Sequence, residues 1–158
     1  MKKIVFLIAI ISSLQLISQK HYTKISSSKL STERVNVSEN FIKEYYKKCE
    51  NKDYSPFTNF ILDKRLERKL NDDYEKKCEE VNQNGKITAL KFNSAYIKDY
   101  TKNNDPIELI VFDVSLENSK DFKFINVWIY RDQNVINGIW ISKEKPFTKS
   151  KKIKESAL

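Results

Sequence analysis

The stretch from Lys86 to Ser142 constrains this chain most, because it reads as four successive β-strands separated only by short polar breaks. Segments 86–100, 106–117, 121–131 and 134–142 are rich in the β-branched and aromatic side chains that suit a pleated, half-buried surface. Asn103-Asn104-Asp105-Pro106, Asn118-Ser119-Lys120 and Asp132-Gln133-Asn134 supply turn chemistry, and breaks this short make consecutive strands antiparallel neighbours. In the third segment Phe122, Phe124, Trp128 and Tyr130 alternate with Ile125, Val127 and Ile129, so both faces are apolar, as in a central strand covered on two sides. Leu90, Phe92 and Tyr96 share one parity, as do Ile110, Phe112, Val114 and Leu116, and these are expected to face helices.

The preceding stretch supplies the helices. Asn36 and Glu39 have capping-box spacing, and Phe41, Ile42, Tyr45, Tyr46 and Cys49 then form an apolar stripe opposite Lys43, Glu44, Lys47 and Lys48. Ser55-Pro56 predicts a short second helix within 53–62, burying Phe57, Phe60 and Ile61. Asp63 caps a third, whose Leu66, Leu70, Tyr74, Cys78 and Val81 lie on one side and which Gly85 ends. The expected fold is therefore α+β, with three N-terminal helices packed on a curved four-stranded antiparallel meander.

Lys2 and Lys3 followed by the apolar run Ile4–Ile17 match a secretory signal, read as residues 1–18. Fourteen helical residues span only about 21 Å against a hydrocarbon core of roughly 30 Å, which disfavours a stable membrane span. Leu16 occupies a position where signal cleavage favours a smaller residue, so an uncleaved N-terminal anchor is the alternative. The expected location is periplasmic or secreted. Residues 19–35 have the composition of a disordered spacer, 36–142 form the single domain, and 143–158 read as a basic disordered tail.

The net charge of +8 sits at the ends: +2 in the signal, +3 in the spacer and +4 in the tail, which leaves −1 for 36–142. A folded part this close to neutral argues against a nucleic-acid binder. The lysine-rich tail is suited instead to weak, salt-sensitive contact with anionic envelope surfaces. Cys49 and Cys78, the only cysteines, lie on the apolar stripes of two helices in a chain that leaves the reducing cytoplasm, and a disulfide between them follows. Buried free thiols are the alternative.

This order of helices and long antiparallel strands, closing on Gly138, Trp140 and Ile141, resembles the nuclear-transport-factor-2-like cone, particularly its small secreted bacterial domains. The resemblance covers about 36–142 and includes the Phe41–Tyr46 helix with Asn51-Lys52-Asp53-Tyr54 downstream. It implies a cone with an apolar interior, a setting that serves isomerases and dehydratases as well as pure binding and assembly domains.

His21, the only histidine, falls in the spacer, so the domain has no imidazole for a catalytic triad or a usual zinc site, and two glycines cannot make a phosphate loop. No metal or cofactor is expected. Carboxylate chemistry remains: Asp113, between Phe112 and Val114, would act as a general base with Tyr45 or Tyr96 as hydrogen-bond donor if it pointed into a dry cone. Its parity opposite Phe112 favours a position facing water. Asn126 shares parity with Trp128, where a buried amide needs a ligand, a water or backbone partners. Tyr45, Tyr96, Phe112, Asn126 and Trp128 are the candidate ligand-lining residues, against the alternative that such aromatics simply fill the core. The expected function is an exported, non-catalytic domain that binds a small apolar ligand or a protein partner on the concave face of its sheet. The alternatives are a carboxylate-dependent isomerase or dehydratase centred on Asp113, and an immunity-type or envelope-assembly module.

Overall fold

A computed structural model describes residues 22–98 and 106–147. The order is β1 (Tyr22–Lys24), α1 (Thr32–Glu50), α2 (Lys64–Gln83), β2 (Ile87–Lys98), β3 (Ile107–Leu116), β4 (Phe124–Tyr130) and β5 (Ile136–Ser142), with a single 3-10 turn at Ser27–Lys29. The class is α+β, with two long helices and a five-stranded antiparallel sheet in the order β1-β2-β3-β4-β5. The four-segment meander is present, and β1 extends it from a stretch expected to be spacer. Tyr22–Lys24 pairs with Tyr96–Lys98, and the Ile25 amide bonds the Ala95 carbonyl at 2.9 Å. The expected signal, His21 and the expected tail beyond Phe147 lie outside the described residues.

The first helix starts five residues earlier than its capping-box signal suggests. Ser31 is the cap, its hydroxyl accepting from the Arg34 amide at 3.3 Å, while Glu39 pairs with Lys43 at 2.6 Å. The extra turn brings Val35 into the core. The second expected helix is absent. Asp53 turns the chain by accepting from both the amide and the hydroxyl of Ser55, at 3.0 and 2.6 Å, so Ser55 is not free to cap a helix. Further on, Ile61–Asp63 is held extended against β5, with Ile136 bonded to Ile61 and Asp63 at 2.9 and 2.8 Å. Phe57 is still buried and Phe60 packs on the core, but Ile61 is 58 % exposed. Asp63 caps α2 as expected, bonding the Arg65 amide at 2.9 Å, and Gly85 follows the helix with φ +77°.

Both helices cover one face of the sheet. Phe41, Ile42, Tyr45, Cys49, Leu66, Leu70, Tyr74 and Cys78 meet Ala95, Ile110, Phe112, Val114, Leu116, Ile125, Val127, Ile129 and Ile136. Cys49 and Cys78 form a disulfide that joins α1 to α2. On the opposite, outer face, Phe147 stacks on Tyr22 with ring centroids 4.8 Å apart and meets Tyr96 edge-on at 5.0 Å. Residues 143–147, expected to begin a disordered tail, thus pass from β5 back to β1 and β2. Phe147 is joined in holding this run by Lys143, paired with Asp121, and by the Glu144 carbonyl, which accepts from Ser142 Oγ at 2.9 Å. Leu109 and Val111, on that same outer face, are completely buried.

Candidate functional site

The residues singled out for ligand contact fall on opposite faces of the sheet. Tyr45 and Phe112 lie in the helix-side core, whereas Asn126 and Trp128 are on the outer face. Tyr96 joins the outer group, contrary to its sequence parity. A β-bulge at Asn93 lies between the pairs Phe92↔Phe112 and Ser94↔Val111, and one inserted residue reverses every side chain beyond it. Phe122 also departs from the parity of Phe124 and joins the helix-side core, because the regular ladder begins only at Phe124. These five residues therefore do not form one pocket.

Asp113 is on the outer face, paired across the ladder with Lys91, and its Oδ1 accepts from Asn93 Nδ2 at 2.8 Å. It lines none of the clefts described below; of its two expected donors Tyr45 is across the sheet, while Tyr96 shares its face but pairs with Leu109, four residues along β3. Asn126 is fully buried. Its Nδ2 donates to the Trp140 carbonyl at 3.2 Å and to Ser142 Oγ at 3.0 Å, while its Oδ1 has no partner among the described residues. Trp128 stacks on Trp140 with centroids 6.2 Å apart, above Gly138, where a Cβ would come 3.6 Å from the Trp128 ring.

The concavities lie elsewhere: one, of about 470 Å³, lies between α1, Asn59, Phe60, Ile61, Gln133 and Asn134, and two more, both bordered by Tyr46, lie along the helix side of the sheet. One cleft, of about 620 Å³, runs between α1 and the start of β2, over Ile87 and Leu90. The other, of about 490 Å³, lies between the C-terminal half of α2 and β5, with Val81, Phe122, Ile139 and Ile141 among its apolar walls. Tyr46 borders both because it sits at the edge of the α1 stripe, one helical step from buried Tyr45. That edge position is the sequence signal that points to it: an aromatic flanking the stripe has its ring against the core and its hydroxyl at the boundary.

Charges ring the first cleft without giving it a sign. Glu39 pairs with Lys43, and Glu50 pairs with Lys86. The paired Lys77 and Glu80 border the second. Burial pushes the Tyr45 hydroxyl up to about 12, with the Glu80 carboxylate adding to the effect. Burial and the neighbouring Tyr45 likewise raise Tyr46 above the ordinary tyrosine range, so it stays a neutral phenol. Among the described residues none hydrogen-bonds the Tyr46 hydroxyl.

The remaining buried polar groups serve the fold. Glu108, 1 % exposed on the helix-side face, accepts from Arg34 Nε and Nη2 at 2.8 and 3.0 Å and meets Arg131 Nε at 3.1 Å. Lys48 is buried over the Phe57 ring and bonds Asp53 and Ser55, both at 2.7 Å. The Lys48 bond, then those from Ser55, hold the Asp53 carboxyl well below the usual carboxylate range. Among the described residues no group of His, Cys, Asp and Glu could hold a metal ion, and no helix is long and apolar enough to cross a membrane. A scan against protein-family models finds no match, and searches of the curated proteins and of the solved structures find none either.

Proposed function

We propose that this chain is an exported, non-catalytic domain that binds a small apolar molecule carrying one hydrogen-bonding group in the paired clefts beside Tyr46. The observation that carries this reading is the neutral Tyr46 hydroxyl, without a hydrogen-bond partner among the described residues, between a charge-rimmed cleft over Ile87 and Leu90 and a second cleft with Val81, Phe122, Ile139 and Ile141 in its walls. An apolar cleft with a few polar groups is the usual form of a small-molecule site. The disulfide between α1 and α2 is consistent with an oxidising compartment and thus with export. Kinship with the nuclear-transport-factor-2-like cones belongs to the same proposal, supported by the order of helices followed by meander. Asp113 has no part in it, because it is bonded to Asn93 on the other face of the sheet.

The test compares naphthalene with 1-naphthol, two probes that differ by one hydroxyl. Both should shift backbone resonances of Tyr46, Val81 and Ile139. Tyr46→Phe should weaken 1-naphthol about fivefold, the equivalent of one hydrogen bond of about 1 kcal/mol, and leave naphthalene unchanged. Resonance shifts confined to the outer face, or none with either probe, would discard the cleft.

A further inference from the structure

The two edges of the sheet are guarded unequally. β1 is three residues long and ends in Lys24, and shortness and charge are common means of protecting an edge. β5 has no charged residue. Its first residue, Ile136, is covered by Ile61–Asp63, and a bulge at Asn137 follows, between the pairs Ile129↔Ile136 and Trp128↔Gly138. Among the described residues no backbone outside the sheet bonds the outer side of Gly138–Ser142. The Trp140 carbonyl accepts from Asn126 Nδ2 at 3.2 Å and that of Ser142 from the Lys123 amide at 3.0 Å, so both turn toward β4. By the alternation of an antiparallel ladder, the amides and carbonyls of Ile139 and Ile141 point outward, where the cleft beside α2 leaves them reachable.

We propose that a second copy of this chain occupies this edge, its β5 pairing antiparallel with the first about a twofold axis through Trp140. The segment Ile139-Trp140-Ile141 reads the same in both directions, so each outward Ile139 meets Ile141 of the other copy, and the two Trp140 side chains, each 51 % exposed in the single chain, lie opposite one another. The charges permit it. Although the chain carries +8, this register sets Lys143 opposite Asn137 and Gly138 opposite Ser142, so no like charges face each other. Lys143 is in any case paired with Asp121 at 2.7 Å. The three undescribed segments join the fold at Tyr22, between Lys98 and Pro106, and at Phe147, which packs on β1 and β2 at the other side of the sheet. Ile139, Trp140 and Ile141 also line the cleft beside α2, so the second copy stands at its margin, but sedimentation and cross-linking without any ligand read the edge alone.

Sedimentation of the full exported chain between about 1 μM and 1 mM, the span in which small interfaces associate, should show its weight-average mass rising from one chain toward two. Trp140→Lys, which sets two ammonium groups opposite each other at an exposed position, should abolish the rise without altering the far-ultraviolet spectrum. Trp140→Cys should oxidise to a covalent dimer, whereas Ile61→Cys, 58 % exposed on the neighbouring segment, should not. A monomer throughout the range overturns the proposal, as does dimerisation that survives Trp140→Lys or equal cross-linking at both cysteines. A monomer whose Ile139 and Ile141 amides are protected from exchange would overturn it too, assigning the edge to the chain's own undescribed residues.

Discussion

Removing the Cys49–Cys78 bridge by a double substitution to alanine isolates what the cross-link contributes. The two cysteines are 29 residues apart, and loop-closure entropy for a ring of this size amounts to roughly 3.5 kcal/mol at 25 °C. For a domain whose whole stability is about 5–15 kcal/mol that is a large fraction. The variant should still fold, because α1 and α2 are held by other contacts. Tyr74 donates its hydroxyl to the Tyr45 carbonyl at 3.1 Å, their rings are 5.2 Å apart, and Asn82 Nδ2 bonds the Cys49 carbonyl at 3.1 Å. Alanine is preferred to serine, which would bury two hydroxyls at positions almost fully closed to water. With a urea m-value of about 1.5 kcal/mol per M, the loss lowers the unfolding midpoint by about 2 M. Tryptophan fluorescence and circular dichroism should follow one transition. The m-value should rise, because the uncrosslinked unfolded chain exposes more surface. A midpoint shift below about 0.5 M with an unchanged m-value would refute the entropic account and place residual structure in the unfolded chain.

Tyr74→Phe removes the bond to the Tyr45 carbonyl and should cost about 1 kcal/mol in chemical denaturation, with the Cys49–Cys78 bridge intact by mass. Gly85→Ala should cost about 1–2 kcal/mol in the same measurement. The residue has φ +77°, and a Cβ there would sit 2.9 Å from that of Glu117. Because Tyr45 ionises later in the folded chain than in the unfolded one, its contribution is complete below about pH 10 and is lost as pH rises toward about 12. Phenolate absorbance should show a late-titrating group there, and Tyr45→Phe should remove part of that alkaline loss of stability. Asp53 has the opposite sign: its lowered value adds stability that is present above about pH 4 and fades as pH falls through the folded value, so Asp53→Asn should flatten the acid limb of stability against pH.

Periodicity over long segments carried most of the fold. The alternation in Ile110–Leu116 assigns the correct side chains to the helices, whereas segment 121–131, apolar on both parities, leaves open that Ile125, Val127 and Ile129 are the ones that face them; the α2 stripe with its Asp63 cap and Gly85 stop is legible from residue type alone. What failed was local and had local causes. Asn93 adds one residue to a strand, and nothing in its composition marks a bulge, so Tyr96 was assigned to the wrong face. Ser55-Pro56 is a sound helix start, but a nearby carboxylate, Asp53, and a strand needing an edge partner, β5, both compete for that segment. Tyr22–Lys24 is too short and polar to announce itself as a strand; it forms because Lys98 and Ile97 offer an open ladder and Phe147 closes over it. The candidate cleft was hardest to read, because Tyr46 differs from Tyr45 only in its angular position on α1, and that becomes informative once the sheet shows where the helix leaves it uncovered.

The stacking of Phe147 on Tyr22 gives the domain a polarity beyond its internal packing. Both described ends emerge from one corner, at β1, while β5 lies across three intervening strands and the opening beside Ile87 is at the opposite end of β2 from that corner. A leash attached at Tyr22 or Phe147 themselves, whether a label, a solid support or a surface, therefore pulls on the β1 corner, away from the Tyr46 mouth and from the β5 edge.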